Sequence, residues 1–222
     1  SASEGDDKIA WYENQGGGSF GPQQVITTYA EGAQSVYATD LDGDGDADVL
    51  SAAAGIDAEI AWYENQGGGN FGPQPVITTN VDDANSVFAT DLDGDGDADV
   101  LSADGEFDDE IAWYENQGGG TFGPKQVITT NADFAQSVFA IDLDGDGDAD
   151  VLSASSTDDK IAWYENQGGG SLGPQQVITT NADGALSVFA TDLDGDGDAD
   201  VLSASFDNDK IAWYENQGGG AF

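Results

Sequence analysis

Asp40, Asp42, Asp44, Asp46 and Asp48 stand on alternate positions of the nonapeptide DLDGDGDAD, with two glycines and almost nothing apolar between them. The nonapeptide recurs at Asp91, Asp93, Asp95, Asp97 and Asp99, at Asp142, Asp144, Asp146, Asp148 and Asp150, and at Asp192, Asp194, Asp196, Asp198 and Asp200. Two carboxylates about 4 Å apart repel by about 4 kcal/mol at an effective dielectric near 20. Five in one turn therefore spread, take up protons or gather round a cation. Hard oxygen donors alternating with permissive glycines suit Ca²⁺, which takes six to eight oxygens. Read as D-x-D-x-D-G-x-x-D, the first loop offers the side chains of Asp40, Asp42 and Asp44, a sharp turn at Gly45, the Asp46 carbonyl and then Asp48. All twenty aspartates are thus candidate metal residues, in four calcium sites.

Competing cations fit less well. Magnesium keeps its waters in a small octahedron, and transition metals favour imidazole or thiolate, of which the chain has none. An EF-hand needs glutamate at loop position twelve between helices, whereas Ser51, Ser102, Ser153 and Ser203 stand there amid strand-like sequence.

The rest of the composition agrees with cations as partners. The 222 residues carry 44 acids against four lysines, a formal charge of -40 without arginine or histidine. No basic stripe can neutralise phosphates, which excludes nucleic acid and argues against anionic membrane surfaces. No segment is apolar for long enough to insert into a bilayer, and no secretory signal is present. The absence of methionine, the initiator included, points to a mature or excised segment of a longer product. Strong acidity often means disorder, but 38% hydrophobic residues and aromatics at fixed places argue for a packed fold.

Those aromatics mark the elements that must position the acid loops. IAWYENQGGG occurs five times, at Trp11, Trp62, Trp113, Trp163 and Trp213, giving a period of about 50 residues that signals a propeller or solenoid. Each unit holds four strand-like runs bounded by turn residues: A (SVFATD) before the acid loop, B (DVLSA) after it, C (KIAWYENQ) and D (QVITT). No run keeps a 3.6-residue period, so no helix is expected. Pro75 and Lys125 near the start of D place that strand at a sheet edge, which leaves A innermost. The expectation is an all-β chain: a β-propeller of four-stranded antiparallel blades with incomplete blades at both ends, or an open solenoid-like array of the same sheets. As one repeat domain over 1–222 it divides into a partial blade 1–34 (C, D), blades 35–85, 86–136 and 137–186, and a partial blade 187–222 (A, B, C). The last A, B and C could recruit the first D to close a fourth blade.

DLDGDGDAD followed by DVLSA, with an FGP segment after the glycine turn (Phe20, Phe71 and Phe122; Leu172 in one copy), resembles the FG-GAP/VCBS repeats of integrin-type propellers. The resemblance covers the entire chain. It implies calcium in the loop joining A to B, an extracellular setting, and adhesion, carbohydrate binding or scaffolding. Such propellers commonly close with seven blades, more than this chain supplies alone.

Other features read as structure. Alternation along C puts Ile9, Trp11 and Glu13 on one face and Ala10, Tyr12 and Asn14 on the other, so both aromatics can pack between neighbouring blades. The GGG runs, with no GKS or GKT and no helix after them, read as C to D turns. Without His, Cys or Arg, only Glu13 and its equivalents with tyrosine or lysine remain as acid and base, and an acid repeated in every blade argues for structure, so no enzyme is expected. The units differ mainly in the B to C connections (AAGIDAE from Ala53, DGEFDDE from Asp104, SSTDDK from Ser155, SFDNDK from Ser205) and the D to A connections (YAEGAQ from Tyr29, NVDDAN from Asn80, NADFAQ from Asn131, NADGAL from Asn181). Both emerge opposite the acid loops. Variable loops on one face of a repeat scaffold predict a surface for glycans or extracellular proteins. Near-identical units also suit a homo-oligomer or polymer, a structural subunit of an extracellular filament or surface layer joined through the incomplete end blades.

Overall fold

The computed structural model describes residues 1–55, 57–105 and 109–222. Parts of the variable connections AAGIDAE and DGEFDDE, at Ile56 and at Glu106, Phe107 and Asp108, lie outside them.

The described chain is built from five antiparallel sheets in sequence order. The first holds β1 (Ala2–Ser3), β2 (Lys8–Asn14) and β3 (Phe20–Thr27). The second holds β4 (Ala33–Thr39), β5 (Asp48–Ala53), β6 (Glu59–Tyr63) and β7 (Val76–Thr78). The third holds β8 (Ala84–Thr90), β9 (Asp99–Asp104), β10 (Glu110–Tyr114) and β11 (Gln126–Thr129). The fourth holds β12 (Ala135–Ile141), β13 (Asp150–Ser155), β14 (Lys160–Tyr164) and β15 (Gln176–Thr179). The fifth holds β16 (Ala185–Thr191), β17 (Asp200–Ser205) and β18 (Lys210–Tyr214).

The strand order within each complete sheet is A-B-C-D, as the sequence pattern predicts, with D at an edge. Pro75 shortens β7, yet its carbonyl still accepts a bond from the Trp62 amide. The first D strand does not complete the fifth sheet: β3 pairs with β2 in its own sheet, whose register holds Ala10 against Val25 and Trp11 against Gln24. One helical turn departs from the all-strand expectation. The 3-10 segment Glu4–Asp6 closes the short B to C connection at Asp7, whose φ is 55°.

Strand B is buried along its whole length in the middle sheets, on both faces, because a neighbouring sheet covers each side. Tryptophan and tyrosine of strand C point into opposite seams. Trp62 and Tyr114 share one apolar cluster, Trp113 and Tyr164 the next, and Trp163 packs with Tyr214 in the third. Trp213, with no following sheet over it among the described residues, is 47% exposed. The glycine turn makes room for this packing: a Cβ on Gly120 would lie 2.3 Å from the Trp62 ring, and one on Gly69, Gly170 or Gly220 would lie 2.3, 2.8 or 2.5 Å from Trp11, Trp113 or Trp163. At the inner edge Tyr37, Phe88, Phe139 and Phe189 form a stack with centroids 4.7, 4.8 and 4.7 Å apart.

The two ends of the sheets carry different loops. B to C and D to A connections meet at one end, where Ala54 N donates to Gly32 O, Ser156 N to Phe134 O and Phe206 N to Gly184 O. Acid loops and glycine turns meet at the other. No helix among the described residues is long and apolar enough to cross a membrane.

Candidate metal centres

Each acid loop leaves strand A, turns through two glycines at positive φ (82° and 94° at Gly43 and Gly45) and enters strand B at the fifth aspartate. In that turn the carboxylates fold back on the loop's own amides. Asp40 accepts from Gly43 N at 2.8 Å and Gly45 N at 2.9 Å, Asp42 from Asp44 N at 3.1 Å, and Asp44 from Asp46 N at 2.8 Å. The other three loops repeat these bonds. Because a carboxylate oxygen has more than one acceptor site, these bonds orient the oxygens without exhausting them.

The result is four clusters of carboxylates. One oxygen from each of Asp40, Asp42 and Asp48 lies within 4.8 Å of the others, and the same holds for Asp91, Asp93 and Asp99, for Asp142, Asp144 and Asp146, and for Asp192, Asp194 and Asp200. The remaining candidates lie outside these triads: Asp44, Asp46, Asp95, Asp97, Asp148, Asp150, Asp196 and Asp198. The Asp46 side chain turns toward Gly67 of the glycine turn, and Asp97, Asp148 and Asp198 do the same at Gly118, Gly168 and Gly218.

The fifth aspartate is the best buried. Asp48, Asp99, Asp150 and Asp200 have no exposed surface. Each ties the loop to the end of strand C: Asp99 accepts from Leu92 N at 2.8 Å and from Asn116 N at 2.8 Å, and its equivalents do likewise. Burial raises the carboxyl pKa of Asp99 and of Asp150 to about 6; hydrogen bonds from the two amides oppose this, and nearby Asp93 or Asp144 adds to it. Burial raises Asp48 as well. At Asp200 burial pulls upward but is outweighed by hydrogen bonds from Asn216, Leu193 and Trp213, so its pKa falls below the ordinary value.

The structure adds a residue that the sequence pattern did not single out. Asn116 donates from Nδ2 to Leu41 O at 2.8 Å, inside the acid loop of the preceding sheet, and to Ala98 O at 3.1 Å in its own. Asn166 reaches Leu92 and Ala149, and Asn216 reaches Leu143 and Ala199, in the same way. The first three loops are thereby stapled to the next sheet. The available signal was an asparagine at the same offset after every tryptophan, Asn14, Asn65, Asn116, Asn166 and Asn216, of which the last three are buried.

An all-oxygen donor set, held by backbone amides and carrying buried carboxylates with raised pKa values, fits a hard divalent cation. Stacked antiparallel sheets, four of them with such a loop between strands A and B, define an all-β repeat protein with acidic, metal-competent turns. The sequence matches the FG-GAP-like repeat over residues 1–51, 40–102, 91–153 and 142–203, and the chain belongs to that family. No curated protein matches it significantly in sequence. Among solved structures, the V. cholerae biofilm matrix protein Bap1 superposes with a TM-score of 0.52 at 23% identity, over 89% of this chain and 28% of Bap1. A luciferin-regenerating enzyme superposes with a TM-score of 0.57 at 13% identity, over 98% of this chain and 74% of that one. At these identities the likeness concerns the fold.

Proposed function

We propose that the chain is a non-enzymatic, calcium-binding segment of an extracellular β-propeller that serves as an adhesion or ligand-binding module. The observation that carries this is the fourfold recurrence of a carboxylate triad on one end of the sheets. In each loop the triad members would supply side-chain oxygens, and in the first three the asparagine staple would hold the loop against the next sheet. An ion bound only to the native state at 100 times its Kd adds about 2.7 kcal/mol per site. Four such ions would be comparable with the whole stability of an ordinary domain.

The ring geometry gives the rotation per repeat that a propeller needs. Successive rings of the inner stack are tilted by 48°, 50° and 48°. A rotation axis turns equivalent planes by no more than its own angle, so each repeat turns by at least that much, and a full circle takes no more than about seven repeats. Likeness in fold to a biofilm matrix protein, together with the family, supports the extracellular adhesive role. On the enzyme question, the equivalents of Glu13 recur in every sheet, which argues for a structural role rather than a singular active site.

A second reading, a structural subunit of a filament or surface layer, draws on the outer face of the fifth sheet. Ile211 and Trp213 are exposed there, whereas Ile161 and Trp163 are buried between sheets. Calorimetric titration of the chelated chain with Ca²⁺ tests the first reading: four equivalents are expected, and no heat above dilution would sink it. Sedimentation in calcium separates the two readings, with a discrete particle for the module and long assemblies for the filament.

A further inference from the structure

The seams between sheets are built from the same repeat positions, and two of them hold a lysine ammonium at one place. Between the second and third sheets, Lys125 lies against the Glu110 carboxylate, 3.7 Å from Asp104 Oδ2, and donates to the Asn80 carbonyl at 2.9 Å. Between the third and fourth sheets, Lys160 donates to the Asn131 carbonyl at 2.8 Å and pairs with Asp158 at 2.5 Å. Asn80 and Asn131 occupy equivalent positions at the start of the D to A loop. The two lysines do not: Lys125 precedes strand D, whereas Lys160 opens strand C. What recurs is the cation, delivered from either strand.

The seam between the first and second sheets departs from this. Its loop carbonyl is that of Tyr29, the strand C position holds Glu59 in line with Glu110, and the strand D position holds Gln74 in line with Lys125. Neither position is a lysine. An open cavity of about 790 Å³ lies there, with Tyr29, Asp57, Glu59, Gln74 and Asp82 in its wall. Burial raises the Glu59 pKa and the charge of Asp57 raises it further, while the hydrogen bond from Gln74 opposes both.

A second observation points the same way. In the first and fourth sheets the glutamine in line with Gln74 donates to the tyrosine of its own strand C: Gln23 to Tyr12 at 3.0 Å and Gln175 to Tyr164 at 2.8 Å. Gln74 is turned instead onto the Glu59 carboxylate. The Tyr63 hydroxyl, in a residue only 1% exposed, receives no bond from Gln74 and has only the Ser51 and Thr27 side chains beside it. Tyr63 lines an adjoining cavity of about 330 Å³ that shares Tyr29 and Gln74 with the first.

We propose that this seam receives an external primary ammonium group, that of a lysine side chain presented by a partner protein. Glu59 is its counter-ion, the Tyr29 carbonyl its second acceptor, and Gln74, released from Glu59, returns to Tyr63. The ring of Tyr29, 84% exposed, offers an apolar and π surface to the alkyl stem and its charge. This gives a ligand class to the loop face read above as a binding surface, and rests on that reading for the choice of face.

The test is an NMR titration of the calcium-loaded chain, following the side-chain amide of Gln74. Probes are Nα-acetyl-lysinamide, n-butylamine and the doubly acetylated lysinamide, which carries no ammonium. Saturable binding of the first two and none of the third is expected. Glu59→Gln should weaken it by at least about tenfold, the loss of one charge-assisted pair. Gln74→Lys gives the seam its own ammonium, as Lys125 does next door, and should abolish binding while raising the melting temperature. Glu13→Gln changes the net charge by the same unit and should leave binding intact. Equal binding by the parent and Gln74→Lys would overturn the proposal, since amines would then be condensing on the overall charge. Tighter binding of n-butylamine than of Nα-acetyl-lysinamide would overturn the assignment to a protein lysine. Calcium stoichiometry, read in the same samples, stays unchanged in both seam variants, which keeps failure of this site distinct from failure of the calcium reading.

Discussion

Replacing Asn116 by alanine probes the coupling between acid loops and neighbouring sheets. Its Nδ2 group donates to two carbonyls, Leu41 O at 2.8 Å and Ala98 O at 3.1 Å, and its Oδ1 accepts from Gly118 N at 3.1 Å. The residue has no exposed surface, so water cannot take over these bonds without opening the seam. A net hydrogen bond contributes about 1 kcal/mol, and a stranded buried acceptor costs about 1–3 kcal/mol. Loss of both donor bonds should therefore destabilise the calcium-saturated chain by about 2–4 kcal/mol. Asn65 is the internal control. Its Nδ2 donates to Ala47 O at an exposed site, and its replacement should cost about 1 kcal/mol. Urea unfolding in saturating calcium, followed by tryptophan fluorescence, measures both. The calcium affinity of the Asp40 loop should fall with Asn116→Ala, because the Leu41 carbonyl loses the donor that fixes that loop. Equal losses for the two variants, or a loss under about 0.5 kcal/mol for Asn116→Ala, would refute the staple.

Gly120→Ala places a methyl 2.3 Å from the Trp62 ring at a φ of 66°, and should destabilise by about 2–4 kcal/mol in thermal or urea unfolding, whereas Gly119→Ala, with nothing within 4 Å, should cost about 1 kcal/mol. The pH response should change sign with calcium. In chelator, Asp99 and Asp150 titrate near 6 in the folded chain and lower when unfolded, so their contribution to stability is present at low pH and lost as pH rises through about 6. With calcium present, protons compete for the same oxygens, so apparent affinity should fall as pH drops below about 6, and calorimetry at pH 7 and 5.5 reads the difference. Asp99→Asn should flatten the chelator profile while weakening calcium at one site of four. The apolar outer face around Ile211 and Trp213 should bind a hydrophobic dye more strongly than a Trp213→Ser variant does; equal fluorescence would show that the face is covered in solution.

The layout of strands was legible because its signals are local. Period-two alternation in KIAWYENQ put Trp62 and Tyr63 into opposite seams, and Pro75 marked the edge strand, since a residue without an amide hydrogen cannot sit inside a ladder. The acid loops were equally plain, because five carboxylates in nine residues need a compensating charge. Contacts across repeats were harder to read. The asparagine staple joins residues about 75 apart, and no local pattern distinguishes a buried Asn116 from a solvated turn asparagine. Gly120 likewise looked like one of three interchangeable turn glycines, although only the third faces a tryptophan from the sheet before. The ammonium seams escaped notice because the cation comes from just before strand D in one repeat and from strand C in the next. Alignment of one position at a time hides that substitution.

On the proposed function, divalent cations hold the four acid loops closed and so pin sheet to sheet. Thermal unfolding of the intact chain in millimolar calcium and in excess EGTA tests it most directly. A melting temperature many degrees lower in EGTA, restored by added calcium, is the expected result. Superimposable melts in the two buffers would contradict it.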